Sequence, residues 1–437
     1  MTAATDTQRL GAVREVARHV ADHLQADLSL ELWTGEVIPL GTNAREDIRI
    51  VLRSPASVRR LLLKPSLMTV WELYATGLID ITGASPLAAI RRWEHMRALK
   101  LTQNISKTKV VKALWPFLLS AGSRQSVAAY DDAVRDRYGG GRDDKAMIAF
   151  HYDASNAMYG LFLDPEMVYS CAYFRTPETS LEDAQIAKLD RICRKLQLKP
   201  GDDFLDIGCG WGGLVCHAAK NFGVKAHGVT LSQQQYDFVQ AKIDRMGLRN
   251  KVHVELRDYR SLTEGRAYDK IAQIEMFEHL GIDNHDRHFL QMHHLLRPRG
   301  LYLHQASTRM ATRDLAKFRQ TTGYMKSLTR FVFPGGEMDY VGLSTTNLER
   351  HGFEVHDVEA LREHFYLTLQ HWIARLYGKM DEATKMIGAT RARHWLAYLV
   401  LSAMGFERNG IGCYQTLASK RRNGPSRLPL ARADYAP

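Results

Sequence analysis

The stretch Leu205-Asp206-Ile207-Gly208-Cys209-Gly210-Trp211-Gly212-Gly213 decides the fold. An apolar run over 203–207 reads as a buried strand, and a helical pattern opens at Gly213 and continues to Phe222. The glycines between them let the backbone turn tightly and let a ligand approach the main chain. Outward from this turn the same alternation repeats. A helix is predicted over 181–196 before it. Strands are predicted over 225–230, 252–257, 270–274 and 301–307, with helices over 233–246 and 283–296. Strand and helix in such repetition predict an α/β, Rossmann-like, doubly wound parallel sheet with helices on both faces.

The turn also has a chemistry. Its spacing is GxGxG, where a dinucleotide fold prefers GxGxxG. The Asp206 carboxylate just before it suits an ammonium or a methionine moiety and would repel a pyrophosphate. The next strand ends in Gly228-Val229-Thr230-Leu231-Ser232, followed by Gln235, so hydroxyls and an amide stand where a ribose-binding acid often does. The third ends in Arg257-Asp258-Tyr259-Arg260, where Asp258 can accept a hydrogen bond from an adenine amino group. Ends of parallel strands are where such sheets bind ligands.

The remainder of the chain sets bounds. Its 437 residues suffice for two domains, and 45% hydrophobic with 24% charged residues is an ordinary globular composition. The expected division is a small mixed α/β domain over 1–120, a polar linker over 121–145 containing Gly139-Gly140-Gly141, and a catalytic domain over 146–437. Helices are expected over 10–24, 57–63, 67–76 and 85–99, and short strands over 28–32 and 48–52. Five cysteines without a CxxC pair argue against a disulfide framework or a metal site. The excess of basic over acidic residues, 59 − 48 = 11, fits anionic lipid or nucleic acid. No base-flipping or RNA-recognition motif appears, so nucleic acid is not an expected partner. With no apolar run of about 18 residues and no signal pattern, the expectation is a cytoplasmic protein, peripheral at the inner face of the membrane.

Further pieces extend the reading. They are His151-Tyr152-Asp153 with Asn156, Tyr169-Ser170-Cys171-Ala172-Tyr173, Met276-Phe277-Glu278-His279, His304, and Phe333-Pro334-Gly335-Gly336. Together with the glycine turn and the segment ending at Gln235, they resemble the cyclopropane-fatty-acid synthase family of S-adenosylmethionine-dependent methyltransferases. The resemblance covers about residues 146–418, and more weakly the first block around 67–80. It implies a cis-olefin substrate in an acyl chain of a membrane phospholipid. It also implies cofactor contacts from Tyr169, Ser170, Gly208, Gly210, Thr230, Leu231, Gln235 and Asp258. Asp206 and Tyr259, beside these, complete the expected binding set.

An isolated double bond attacks a sulfonium methyl only when the two are held in line and dry. The cation left on the chain suits electron-rich aromatic faces, for which Tyr173, Phe174, Phe277 and Phe331 are candidates. The resemblance implies that a bound bicarbonate then takes the proton. Its expected holders are Glu278 through an acidic proton, His304 through a hydrogen bond, and Cys171. Three departures from the family pattern stand in this chain, and the first two alter that pocket. Phe365 stands where the family has a tyrosine directly after a histidine, with Tyr366 one place later; Ala306 replaces a frequent isoleucine; and Ser402 matches a frequent cysteine. Phenylalanine cannot hydrogen-bond an anion. The leading expectation is cyclopropane formation. Loss of a different proton, giving a methylene- or methyl-branched chain, is the runner-up, and a non-catalytic lipid-binding relic is the alternative of another class. Anionic membrane surface is the expected partner, and a homo-oligomer is left open.

Overall fold

The computed structural model describes residues 3–24, 26–92, 115–118, 155–262, 267–320, 322–331 and 336–432. The expected linker at 121–145, the His151-Tyr152-Asp153 motif and Phe333-Pro334-Gly335 lie outside them, as does the part of the expected 85–99 helix beyond Arg92. The chain divides into two compact units. One comprises Met1–Asp136, Thr321–Phe331 and Leu376–Leu401; the other comprises Arg137–Gln320, Val332–Arg375 and Ser402–Pro437. The first unit thus includes two excursions from late in the sequence, which a division at successive chain positions does not contain.

In the first unit α1 (Ala3–Leu24) precedes β1 (Ser29–Glu31), β2 (Val37–Pro39) and β3 (Arg49–Leu52). α2 (Pro55–Leu63), α3 (Leu67–Ala75), β4 (Ile79–Thr82) and α4 (Pro86–Arg91) follow. The sheet order is β2-β1-β3-β4, with β1 and β3 parallel and both outer pairs antiparallel. Strands β2 and β4 are additions to the sequence reading. Ser54 and Ser66 start α2 and α3 by accepting the Ala56 and Thr69 amides, which satisfies donors a helix start leaves open. The returning segment is bound by polar contacts: Trp71 Nε1 donates to His394 Nδ1 at 2.7 Å, and Arg393 bonds Tyr74 O, Ile79 O and the Asp80 carboxylate.

The second unit is built on a seven-stranded sheet. Its strands are β5 (Asp203–Ile207), β6 (Lys225–Thr230), β7 (Val252–Leu256), β8 (Tyr268–Ile274), β9 (Leu296–Arg309), β10 (Phe353–Ala360) and β11 (Ile411–Lys420). The order is β10-β11-β9-β8-β5-β6-β7, parallel from β9 to β7, with β11 antiparallel to both its neighbours. The central strands are buried on both faces. Phe204, Ala226, Ala272 and Leu303 enter the core shared with α5 (Leu181–Lys195) and α6 (Gly213–Phe222). Leu205, Ile207, Val229, Ile271 and Tyr302 enter the opposite core, with Phe289 of α7 (His285–Leu295). This period of two on each strand, with both faces apolar, is why the strands read as near-continuous apolar runs.

Helix α5 is held to the sheet edge by charge as well as by its apolar face. Lys195, fully buried, reaches Asp357 at 3.0 Å and Glu359 at 2.7 Å on β10. Arg191 pairs with Glu359 and Arg432 with Asp357. Burial opposes ionisation of both carboxyls, yet Arg432, Arg191 and Lys195 together hold them below their ordinary values. Removing the ammonium leaves buried carboxylates short of charge, a change that costs about 3–5 kcal/mol for a lost buried partner. The two arginines remain, so the expected loss for Lys195→Ala in urea denaturation is nearer the lower figure, about 3 kcal/mol.

Candidate active site

The turn after β5 opens a cleft at the carboxyl ends of the parallel strands, where the strand order reverses between β5 and β8. The cleft encloses about 1150 Å³, its solvent-open mouth included. All ten residues expected to bind the cofactor line it: Tyr169, Ser170, Asp206, Gly208, Gly210, Thr230, Leu231, Gln235, Asp258 and Tyr259. Gly210 has φ +52, and a Cβ there would meet nothing within 4 Å, so any side chain would project into open space beside the main chain. Gly212, φ +76, has the opposite constraint: a Cβ would come within 2.8 Å of Val239.

The polar groups of the cleft are arranged on buried supports. Lys188 Nζ donates to Ser170 Oγ at 2.7 Å, and Gln185 Nε2 donates to Ser170 O at 2.9 Å. Thr230 Oγ1 donates to Gln235 Oε1 at 2.7 Å, and Ser232 caps the following helix at the Gln235 amide. Asp206 is 3% exposed, and burial lifts its carboxyl to about 7 against the pull of Lys188. Asp258 is already engaged: Arg260 grips both its oxygens, which keeps its carboxyl below the ordinary range despite burial. Tyr259 bonds His288 at 3.1 Å.

The residues expected to hold an anion are distributed otherwise. None of Cys171, Glu278, His304, Phe365 and Tyr366 is among the cleft lining. His304 uses both ring nitrogens inside the protein. With the Gln273 amide oriented so that its oxygen accepts from Met276 N and Phe277 N, its nitrogen donates to His304 Nδ1 at 2.7 Å. Nε2 then donates to Ser344 Oγ at 3.3 Å, and Ser344 to Asp339 at 2.6 Å. Burial drives the imidazole down to about 3, so it is neutral. The Cys171 thiol bonds Ala172 O and Leu361 O. Phe365 packs on Phe406 and Trp372, and the Tyr366 hydroxyl donates to Glu407. Glu278 differs: Oε1 accepts from Ser307 N at 2.5 Å, while the buried Oε2 has no partner among the described residues. Burial, with the neighbouring Glu275 charge, raises its carboxyl to about 8.

Lys188, Trp211 and Glu275 line the cleft without having been singled out by sequence reading. Each had a signal. Lys188 is a charge on the buried face of a capped amphipathic helix, and Trp211 lies inside the glycine turn. Glu275 stands one residue past a parallel strand and immediately before Met276-Phe277-Glu278-His279.

This sheet and this cleft define a class I S-adenosylmethionine-dependent methyltransferase. Comparison with known proteins narrows the class. Residues 141–416 match the family described as mycolic acid cyclopropane synthetase, and the chain belongs to that family. It is 32% identical over 412 residues to a probable fatty acid methyltransferase of Pseudomonas putida, spanning 94% of this chain and 96% of that one. A probable fatty acid methyltransferase of Mycobacterium tuberculosis is 38% identical over 289 residues, 66% of each chain. Among solved structures, the cyclopropane synthase MmaA2 of Mycobacterium tuberculosis aligns with a TM-score of 0.60 at 32% identity, over 63% of this chain and 98% of that one. The mycolic acid cyclopropane synthase CmaA1, complexed with S-adenosylhomocysteine and CTAB, also aligns at 0.60, with 30% identity over 64% and 99% of the two chains.

Gly210→Val tests the cleft assignment. A branched side chain enters the ligand's path, and its left-handed backbone costs about 1–2 kcal/mol. Calorimetry is expected to show no S-adenosylmethionine binding while circular dichroism shows a folded protein; unchanged affinity would remove the cleft from consideration.

Proposed function

We propose that this methyltransferase acts on the double bond of unsaturated acyl chains in membrane phospholipids, with a cyclopropane ring as the leading product. The observation that carries the reading is the cleft at the sheet's switch point, in a chain whose similar proteins are named for fatty acids and mycolic acids. S-adenosylmethionine supplies an electrophilic methyl on a sulfonium. The chain's own residues fit it. Asp206 offers a buried carboxylate to an ammonium, Thr230 and Gln235 offer polar atoms to a ribose, and the open face of Gly210 admits the ligand to the main chain. Of the aromatic residues considered for the cation, Tyr173 stacks on His364 beneath Arg191, Phe174 stacks on His371, and Phe277 is enclosed by His285, Phe289 and His304. The side chain of Phe331 lies outside the described residues. Tyr169, stacked on Trp372 at 5.2 Å, is a ring that does line the cleft and so suits that role better.

A bound bicarbonate fits these residues poorly. His304 has no free donor, Phe365 has none at all, and the Cys171 amide already donates to Glu275. Only the orphaned Oε2 of Glu278 answers the requirement.

Among the described residues no helix is long and apolar enough to cross a membrane. The basic side chains Arg59, Arg60 and Lys64, near the apolar run 61–63, suggest a contact, and it is partly available. Arg60 is taken by Glu72 at 2.7 Å, whereas Lys64 is exposed. Beside it stand exposed apolar side chains, Leu63 at 61% and, one turn apart on α3, Leu67 at 38% and Val70 at 43%. An apolar ridge with an adjacent ammonium suits an anionic lipid surface, where each basic residue contributes about 1 kcal/mol.

Two measurements test these readings. Purified protein incubated with methyl-labelled S-adenosylmethionine and vesicles of monounsaturated phospholipid is expected to label the acyl chains, with cyclopropyl protons in the product's NMR spectrum. Olefinic protons would instead establish the methylene product, and unlabelled lipid would end the acyl-chain reading. The paired substitution Leu63→Glu with Lys64→Glu is expected to weaken sedimentation with anionic vesicles by roughly tenfold at low salt, more than one basic residue's share. Added salt should weaken the wild type as well. Equal binding of wild type to neutral and anionic vesicles at every salt concentration would refute the electrostatic part.

A further inference from the structure

A carboxylate of the chain itself occupies the hydrogen-bonding position beside Cys171. Glu275 follows the last residue of β8, and its backbone is left-handed, φ +54. That conformation is disfavoured by about 1–2 kcal/mol for a residue with a Cβ, so its contacts must hold it. Glu275 N donates to Gln305 O at 2.8 Å. Oε1 accepts from Cys171 N at 2.9 Å, Gln305 Nε2 at 2.6 Å and the Cys413 thiol at 3.8 Å. Oε2 accepts no hydrogen bond among the described residues, and the residue lines the cleft.

The sheet order places this carboxylate at one end of the cofactor's path. Asp258 follows β7, Gln235 and Thr230 belong to β6 and its helix, the glycine turn follows β5, and Glu275 follows β8. With adenine at the β7 side, the sulfonium end lies toward β5 and β8. Asp206 and Asp258, the other carboxylates of the lining, have different environments: one is buried just before the glycine turn and the other is gripped by Arg260.

We propose that Glu275 is the base of the reaction, its Oε2 taking the proton that the acyl chain loses after methyl transfer. The proposal rests on the acyl-chain reading above. The alkene π pair forms the new carbon–carbon bond to the sulfonium methyl, and the S–CH3 pair returns to sulfur, leaving S-adenosylhomocysteine. The cation so formed loses a proton to Glu275, and the released C–H pair closes the ring or forms a new double bond. Burial raises the Glu275 carboxyl above its ordinary value, with the Cys171 amide and the Lys188 charge pulling the other way. That makes it a stronger proton acceptor than an exposed carboxylate while a nearby cation favours its ionised form. Cys171, Glu275 and Cys413 also bring their ligand atoms within 4.8 Å of one another. Burial pushes both thiols up, so they stay protonated and serve as donors.

The test compares wild type, Glu275→Gln and Glu275→Gly in carbonate-depleted buffer, with vesicles of monounsaturated phospholipid and with or without added bicarbonate or formate. Glycine adopts the positive φ freely and vacates the space beside Cys171 N and Gln305 Nε2. Glutamine fills that space but cannot accept the proton. Wild-type turnover is expected to be indifferent to bicarbonate. Both variants should bind S-adenosylmethionine as wild type does and lose about 100-fold or more in turnover. Added bicarbonate or formate should restore part of the activity of Glu275→Gly and none of that of Glu275→Gln. A wild type that requires bicarbonate, a Glu275→Gly that turns over in depleted buffer, or an absence of rescue overturns the proposal and leaves acyl methylation standing. A wild type that binds S-adenosylmethionine but labels no acyl chain overturns both.

Discussion

The buried ammonium of Lys188 is the charge on which the cleft depends. It stands on the inner face of α5, bonds Ser170, and acts on Asp164, Asp206 and Glu275. Burial lowers its own pKa, and those carboxylates pull it back up. Conversely, Lys188 opposes the burial that raises Asp206 and Glu275. Carboxylates this deep are expensive to ionise alone. One cation among them lets negative charge persist in a dry site that must receive a sulfonium and an ammonium.

Supports further out keep Lys188 where it is. Helix α5 begins at Ser180, whose side chain accepts the Asp183 amide, and carries Glu182 and Asp183 in its first turn. Its last turn is tied through Lys195 and Arg191 to β10, the strand at one edge of the sheet. The helix is therefore fixed at both ends as well as along its apolar stripe. A side chain at its middle then projects reproducibly toward the glycine turn. Position at the site follows from charge and packing elsewhere, as it does in sites built on rigid elements.

The central part of the fold was legible because its signals are local. Bounds for β5, β6 and α6 coincide with those read from apolar runs and glycines, since each of those strands is buried on both faces and each is ended by a turn. The cleft lining was partly legible for a similar reason: Gly208, Thr230 and Asp258 stand at or just past the ends of β5, β6 and β7, whereas Tyr169 and Ser170 lie outside the sheet and were expected from the resemblance alone. What escaped depends on distant partners. β11 inserts antiparallel between β9 and β10, and nothing in its own ten residues announces that pairing. The excursions 321–331 and 376–401 join the first unit through contacts such as His394 with Trp71, far apart in sequence. His304 reads as an anion donor from the sequence alone, whereas Gln273 and Ser344 occupy its two nitrogens from distant elements. Glu275 was overlooked because a left-handed glutamate has no sequence signature, and its meaning comes from Cys171 and Gln305, which converge on it from other elements.

A tethered base changes more than the identity of the proton acceptor. A dissolved anion must be captured at each turnover and can settle in more than one orientation, whereas a side chain is held at high effective concentration. The cost is the left-handed backbone at Glu275, and the hydrogen bonds to Oε1 offset it. Those same bonds fix where Oε2 points. The cation on an acyl chain carries several acidic protons: removal from the transferred methyl closes a ring, and removal from a neighbouring chain carbon makes an alkene. With the acceptor fixed, product identity becomes a question of which hydrogen the bound chain presents to one oxygen. The departures at Phe365, Ala306 and Ser402 then need no common explanation as defects of an anion pocket. Phe365 and Ser402 are buried side chains away from the cleft lining, and Ala306 packs in the core beneath the sheet, so residues that shape a neighbourhood can vary once none is required to hold an exchangeable ion.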